Sequence, residues 1–290
     1  MRKLKETILE KAIAIMSFFS IVILILILIF LINSGIPLFK TVSLKEFFLS
    51  SLWRPISEPP RFGIVPLVLG SLLVTFGAVL IGVPLGVGCA VYIAEVAGER
   101  AKEYFKVLVE LIAGIPSVVL GFIGMVVLSS WVRNLFDLPT GLTAFTGAVT
   151  LAFMVVPTIA TLSEDAINAV PKEYISASLA LGATRWQTIC RVIIPSSASG
   201  IFAAILLGFG RAIGETMVVM MVCGNAAVIP HGFFEPVRTL TATIASEMGE
   251  TVRGSEHYYA LFAVGLVLFT ISFSINLIAD IVLRRKARGA

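Results

Sequence analysis

Arg211 and Glu215 are opposite charges placed four residues apart inside a hydrophobic stretch of this 290-residue sequence. They belong to the run Gly-Arg-Ala-Ile-Gly-Glu-Thr, which ends at Thr216 and has apolar residues on both sides. A charged side chain at membrane depth costs about 2.5–3.5 kcal/mol on insertion scales, and by default it marks an ion or substrate pathway. A guanidinium stays protonated in proteins, and its planar fork fits the oxygens of oxyanions. These residue types therefore predict a path for an anion.

The spacing of the two charges predicts an ion pair and its depth. If the stretch is one helix, Arg211 lies roughly 17 Å along it, near the middle of a bilayer. Residues four apart share a helical face, so we expect Glu215 to neutralise Arg211 partly until an anion competes for the guanidinium. Thr216 is expected to line the same route. Alternatively, the pair only holds helices together.

The composition excludes a soluble fold. Hydrophobic residues make up 58% of the chain and charged residues 14%, whereas soluble domains carry roughly 25% charge. Six stretches have the length of about 20 residues that a transmembrane helix needs. We therefore predict an all-α membrane protein with six transmembrane helices, which cover residues 12–33, 66–94, 107–130, 142–163, 199–223 and 258–281.

Positive charges predict the orientation. Six spans place both termini on one side, and this topology puts 14 Lys and Arg in cytoplasmic segments and 7 in external ones. Because positive residues favour the cytoplasmic side, we expect both termini to be cytoplasmic. The basic ends accompany no basic folded domain, so we expect membrane lipid and no nucleic acid as a partner. The three cysteines have no CxxC spacing, which predicts neither a disulfide framework nor a metal site.

Three regions follow from this layout. They are residues 1–65 (cytoplasmic tail, first span and external segment), 66–283 (a five-helix core with a cytoplasmic hairpin at 164–198) and 284–290 (a basic cytoplasmic tail). The external stretch 44–54 carries aromatic residues and alternates in polarity, so we predict a helix along the membrane surface. The external loop 224–257 has mixed charge and predicts a solvated surface, with a docking surface as the alternative.

The hairpin between the fourth and fifth spans carries helix boundary signals. Pro171 suits the first position of a helix, and Gly182 suits the left-handed position after its end. Thr184 and Gln187 match a capping box that begins a second helix. A compact two-helix hairpin of this kind, here called the knob, can bind in a groove on another protein. Alternatively, the segment is an ordinary loop. DNA binding is disfavoured because both ends join membrane spans. We expect three apolar side chains to pack the hairpin: Tyr174, Leu181 and Trp186.

At these residues the chain resembles the membrane subunits of ABC importers, whose cytoplasmic loop carries an E-A-A pattern followed by a glycine and later by I-x-L-P. Here Ser176 and Ser178 replace the glutamate and the second alanine of that pattern, and the glycine and the proline keep their spacing. The resemblance implies that the loop couples to an ATPase. The coupling residues would be Ser176, Ala177, Ser178, Leu181, Gly182, Ala183, Thr184 and Pro195.

The run 207–218 resembles the phosphate permeases of that group, most of all the PstC-type subunit. The resemblance implies a type I ABC importer permease (MetI-like) fold in a bacterial or archaeal cytoplasmic (inner) membrane. It also implies a PstA-type permease or a second copy as partner, with two ATPase subunits and an external phosphate-binding protein. Since the sequence has no GxxxxGK[ST] loop, we expect no bound cofactor and no enzymatic activity here, and ATP and Mg²⁺ are used by the partner ATPase.

Two alternative functions stay open. The same machine could carry another oxyanion, such as sulfate, molybdate or phosphonate. An ion-coupled secondary transporter would usually show two repeated halves, and no such repeat is visible.

Further roles follow if phosphate is the cargo. Phosphate near neutral pH still carries a proton that it can donate to Glu215, whereas sulfate does not, so the pair could disfavour sulfate. Thr158 and Ser117, each next to a proline in its span, either line the route or satisfy carbonyls freed by that proline.

Overall fold

The computed structural model describes residues 2–288, and it describes the side chains of residues 10–278 and 281. Within that part of the chain, six helical segments are long and apolar enough to cross a membrane, which confirms the predicted number of spans. Their bounds are Glu10–Lys40, Val65–Val96, Ser117–Leu135, Ala144–Asn168, Arg185–Gly214 and Glu256–Ile278. The side chains of the predicted basic tail at 284–290 lie outside the described residues.

The elements follow one another in a simple order. The external half of the first region contains a 3₁₀ turn (Ile36–Lys40), α2 (Leu44–Leu49) and the antiparallel pair β1 (Trp53–Arg54) and β2 (Arg61–Phe62). The helices are α1 (Arg2–Gly35), α3 (Val65–Val91), α4 (Glu99–Gly114), α5 (Ser117–Ile123), α6 (Ser129–Leu135), α7 (Ala144–Asn168), α8 (Lys172–Ala180), α9 (Arg185–Thr188), α10 (Ile194–Gly214), α11 (Met217–Val222), α12 (Leu240–Glu247) and α13 (Glu256–Arg288). Single π-helical turns extend α3 (Tyr92–Val96), join α5 to α6 (Gly124–Leu128) and join α9 to α10 (Ile189–Ile193).

Close packing of α3 and α10 against α7 forms the centre of the bundle. A Cβ atom added to Gly86 of α3 or to Gly208 of α10 would lie 2.8 Å from the side chain of Ile159 on α7. Both glycines therefore let their helices approach α7 more closely than a larger residue would allow. This packing fixes the position of α10 along the axis of α7.

The third span begins later than predicted. The sequence placed it at 107–130, but α4 ends at Gly114 and a new helix starts at Ser117, after Pro116. The residue before a proline is driven out of the helical region, so the chain turns there. Although α4 precedes this span, it is amphipathic and packs on α7, where Lys102 and Lys106 lie 3.6 and 3.8 Å from the buried Glu164.

Two segments that were predicted to be external are folded onto the bundle. In the stretch 44–54 the predicted surface helix ends at Leu49, and Phe47 and Trp53 are buried against Phe62 and the outer ends of the spans. The loop 224–257 was predicted to be solvated, yet it contains α12, whose first four residues are all buried. The predicted surface helix is therefore shorter, at Leu44–Leu49, and part of the loop is buried rather than solvated, because its apolar side chains gain free energy when they leave water.

Candidate functional site

Arg211 lies in the last turn of α10 and contacts α7. Its guanidinium donates a hydrogen bond from Nη1 to the hydroxyl of Thr158 at 2.8 Å. Thr158 is 14 residues from the first residue of α7 and 10 from its last, or about 21 and 15 Å at 1.5 Å per residue. Arg211 is therefore at mid-height in the bundle, in agreement with the sequence, and Thr158 is the predicted lining residue that joins it. Within the described part of the chain, Ser117 forms no hydrogen bond with this pair.

Arg211 has no carboxylate partner among the residues that the structure describes. A guanidinium has five N–H groups that point in fixed directions, and Arg211 uses one of them to bind a neutral hydroxyl. The side chain is exposed on the surface of the isolated chain. A charged group at this height does not face lipid tails, because it needs water or polar partners there. The site on this chain is therefore incomplete, and its open side faces a neighbouring subunit or a water-filled space.

Glu215 does not pair with Arg211, and the predicted ion pair is wrong. The helix α10 ends at Gly214, and Glu215 adopts an extended conformation with φ −67° and ψ 133°. Its carboxylate Oε1 accepts the backbone N–H groups of Met217 at 3.1 Å and Val218 at 3.3 Å. Amides at the start of a helix have no partner within it, so this contact caps α11. The break in the helix removes Glu215 from the face that Arg211 occupies.

Glu215 instead belongs to a seam of hydroxyl groups between α3, α11 and α12. The hydroxyl of Thr241 donates to the backbone carbonyl of Glu215 at 2.8 Å, and Thr239 contacts Thr241 at 3.1 Å. A cavity of roughly 10 Å³ between these residues and Ser71 has room for about one water molecule. Thr216, predicted to line the route, is half-buried at the break and donates to the carbonyl of Gly214 at 3.3 Å.

The cytoplasmic hairpin has the predicted backbone. Gly182 has φ +85°, its N–H donates to Leu179 at 3.0 Å, and the N–H of Ala183 donates to Ser178 at 3.2 Å. This pair of bonds is the Schellman ending of a helix. The capping box of Thr184 and Gln187 is complete, with distances of 2.8 and 3.2 Å. Pro171 stands one residue earlier than predicted, at the cap of α8.

The apolar side chains of the hairpin point outwards, which corrects their predicted packing role. Leu181 is 90% exposed, Trp186 64% and Tyr174 56%. The hairpin is instead held by Ile175, which packs on the buried cluster around Ile193. Exposed apolar residues at the tip of a polar hairpin mark a contact surface for a partner.

The other predicted coupling residues surround this tip. Ser176 is exposed and donates to the carbonyl of Glu173 at 3.1 Å, whereas Ser178 contacts the hydroxyl of Thr188 at 3.0 Å and joins the two helices. Ala177 is exposed, and its small side chain projects little from the surface of the hairpin. Pro195 stands in the first turn of α10, where a missing N–H costs little. Arg185 of the hairpin donates to the carbonyl of Glu95 and ties the knob to the end of the second span.

A cluster around Glu247 on the external side was not predicted. Its carboxylate receives Arg238 Nη1 at 2.5 Å and contacts His257 Nε2 at 2.8 Å, and Trp53 Nε1 donates to it at 3.1 Å. These side chains come from four separate segments, so no local spacing in the sequence indicates that they meet. The cluster joins β1, α12 and the start of α13 beside an open pocket of about 580 Å³.

The sequence and fold match known membrane proteins. Residues 82–288 match the family described as "Binding-protein-dependent transport system inner membrane component". A probable ABC transporter permease, YqgH of Bacillus subtilis, is 39% identical over 84% of this chain and 77% of its own length. The phosphate transport system permease PstC of Mesorhizobium japonicum is 34% identical over 83% of this chain and 78% of its own.

Two solved structures share the fold. A chain of the methionine ABC transporter MetNI, captured in an inward-facing conformation, aligns with a TM-score of 0.62 at 20% identity, over 79% of this chain and 99% of that one. A chain of a bacterial ABC transporter that imports alginate aligns with a TM-score of 0.64 at 18% identity, over 93% and 95%. These matches confirm the predicted MetI-like fold of type I importer permeases.

Proposed function

Because this chain belongs to the family of binding-protein-dependent transport system inner membrane components, we propose that it is the PstC-type permease subunit of an ATP-driven phosphate importer. The observation that carries the cargo assignment is Arg211, a guanidinium at mid-height that, among the described residues, forms a hydrogen bond only to the neutral Thr158. Its charge stays available to an oxyanion. Relatives that are named as phosphate permeases favour phosphate over sulfate, molybdate and phosphonate. Family membership also disfavours the ion-coupled secondary transporter.

Partner subunits supply the energy and complete the route. The exposed tip at Leu181 and Trp186 fits a groove on an ATPase subunit, where ATP and Mg²⁺ are used; this chain then needs no cofactor and catalyses no reaction. A PstA-type permease, or a second copy of the chain, covers the open face that carries Arg211. An external phosphate-binding protein delivers the cargo. With the hairpin on the ATPase side, both termini are cytoplasmic, as the positive charges predict.

The transport cycle follows from these positions. ATP binding draws the two ATPase subunits together, and the hairpins transmit that movement to the spans. The bundle then opens outwards, and phosphate reaches the free N–H groups of Arg211. Hydrolysis resets the inward-facing state, and the anion leaves towards the cytoplasm. In this cycle the guanidinium of Arg211 serves as a fixed donor of charge-assisted hydrogen bonds to the anion and forms no covalent bond with it.

Reconstitution tests the proposal. The chain is incorporated into liposomes with a candidate permease partner, ATPase and binding protein, and uptake of labelled phosphate is measured with and without ATP. We expect ATP-dependent phosphate accumulation that excess unlabelled phosphate, but not sulfate, inhibits. Uptake that continues without ATP, or that prefers sulfate, would contradict the assignment.

A further inference from the structure

The cytoplasmic half of α7 carries a polar stripe that begins at the Arg211 contact. Thr158, Thr161, Asp165 and Asn168 are spaced three, four and three residues apart, so they lie on one face of the helix. Thr158 is half-buried and the other three are exposed, whereas residues on the opposite face, such as Ile159, are buried. The stripe therefore runs along an open face from mid-height to the end of the span.

Two members of the stripe have no partner within the described part of the chain. The hydroxyl of Thr161 and the carboxylate of Asp165 form no hydrogen bond or ion pair there, whereas Asn168 donates to Glu164 at 3.3 Å. Thr161 lies about 10 Å from the end of α7, where the hydrocarbon core would offer an uncommitted hydroxyl no hydrogen bonds, so it does not face lipid. By contrast, the exposed face of α3 at the same height presents Leu85.

The external half of the same side of α7 is closed. Leu151 is buried in a cluster with Val218 and Val222 of α11, and Thr150 is covered by the π turn at Gly124. The break after Gly214 directs α11 over this half and leaves the lower half uncovered. Arg211 thus stands at the boundary between a covered external half and an open cytoplasmic half.

We propose that Thr161 and Asp165 line the cytoplasmic half of the anion route, below Arg211. This inference rests on the proposed function and assigns the exit path of that same transport. The hydroxyl of Thr161 offers the anion one neutral hydrogen bond. The carboxylate of Asp165, about 6 Å beyond Thr161 along the helix, repels it. Attraction therefore falls from Arg211 to the cytoplasmic end, which favours release over rebinding.

Thiol labelling tests the position of the stripe. Thr161→Cys and Asp165→Cys are made in a chain with Cys190→Ser, since Cys190 is the exposed native cysteine. Leu85→Cys is the matched control, because its neighbour Gly86 packs at the level of Ile159. In the reconstituted complex without nucleotide, a charged thiol reagent should label positions 161 and 165 at least roughly tenfold faster than position 85, since only a hydrated thiol forms the reactive thiolate.

Equal labelling rates at positions 161, 165 and 85 would overturn the inference. If the parent complex accumulates phosphate in that case, the proposed function survives and only the exit path is wrong. If the parent complex shows no ATP-dependent uptake, the proposed function fails independently of the labelling.

Substitutions test the role of the hydroxyl. Thr161→Val should lower phosphate uptake about fivefold, since one hydrogen bond is worth roughly 1 kcal/mol, and Thr161→Ser should restore it. The control is Thr270→Val on α13, where the exposed hydroxyl bonds only to the carbonyl of Leu266, at 2.8 Å. Normal uptake by Thr161→Val in a fully assembled complex would contradict a lining role.

Discussion

Arg211 of α10 and Thr158 of α7 are joined by a hydrogen bond of 2.8 Å at the middle of the bundle. The hydroxyl is neutral, so it orients the guanidinium without cancelling its charge. A carboxylate in the same place would have competed with an incoming anion. The contact also links the helix that precedes the break at Glu215 to the helix with the polar stripe.

Removing the hydroxyl of Thr158 should loosen Arg211 and leave its charge unchanged. We expect Thr158→Val to reduce phosphate uptake about fivefold to tenfold, because the loss of one hydrogen bond to a charged group costs roughly 1.5 kcal/mol or less at an exposed site. Thr158→Ser keeps the hydroxyl that accepts the hydrogen bond from Arg211, so this variant should transport at the parental rate. The measurement is initial uptake by the reconstituted complex at matched amounts of assembled protein. Equal rates for the valine and serine variants would show that the contact has no positioning role.

Variants of Glu215 test whether its carboxylate caps α11 or acts as a charge that excludes sulfate. The cap needs an acceptor oxygen at Oε1, which glutamine also has. We therefore expect Glu215→Gln to keep phosphate uptake and sulfate rejection, whereas Glu215→Ala should destabilise the fold by about 1 kcal/mol and lower uptake. Uptake and thermal unfolding of the purified complex are measured for both variants. Loss of sulfate rejection in Glu215→Gln would restore the hypothesis of a selectivity charge.

The exposed tip of the hairpin should be required for binding the ATPase. Leu181→Asp places a charge on a side chain that is 90% exposed, so the chain should fold normally and lose its partner. Co-purification with the ATPase reports the loss, and insertion of the chain into membranes is the folding control. Retention of the ATPase by Leu181→Asp would exclude the tip as the contact surface.

Substitution of Gly182 tests whether the backbone conformation of the hairpin turn is needed for ATPase binding. Its φ of +85° disfavours any side chain, although nothing lies within 4 Å of an added Cβ. We expect Gly182→Ala to cost about 1 kcal/mol and to weaken ATPase binding. Gly88→Ala is a suitable control, because Gly88 is helical and also has open space around it. Similar ATPase binding by the two variants would argue against a strained turn.

The cluster at Glu247 should stabilise the external side of the chain. Glu247→Gln removes the charge that faces Arg238 and His257, and it should lower the free energy of unfolding by roughly 2 kcal/mol. Trp53→Phe removes only one N–H donor and should cost about 1 kcal/mol. Thermal unfolding of the detergent-purified chain measures both. An unchanged unfolding midpoint for Glu247→Gln would show that the cluster is not stabilising.

The sequence predicts the parts of this fold that depend on local physics. Six apolar stretches, the left-handed Gly182 and the capping box at Thr184 all follow from short-range preferences. The break at Gly214 was missed because the apolar run resumes at Met217 and continues to Val222, and only the cap contact shows where the helix ends. The contact of Glu247 with Trp53 was missed because it joins residues 194 positions apart, and the contacts with Arg238 and His257 were missed because their spacings of 9 and 10 residues match no local pattern. The sequence also does not give the direction of side chains: Leu181 is apolar, yet it is 90% exposed.

Uptake of labelled phosphate by complexes that carry Arg211→Gln or Arg211→Lys tests the central claim most directly. The glutamine variant should assemble with the ATPase and lose ATP-dependent accumulation. The lysine variant keeps a charge without the planar fork, so it should retain roughly a tenth of the rate. Parental accumulation by an assembled Arg211→Gln complex would contradict a role for this guanidinium in the passage of the anion.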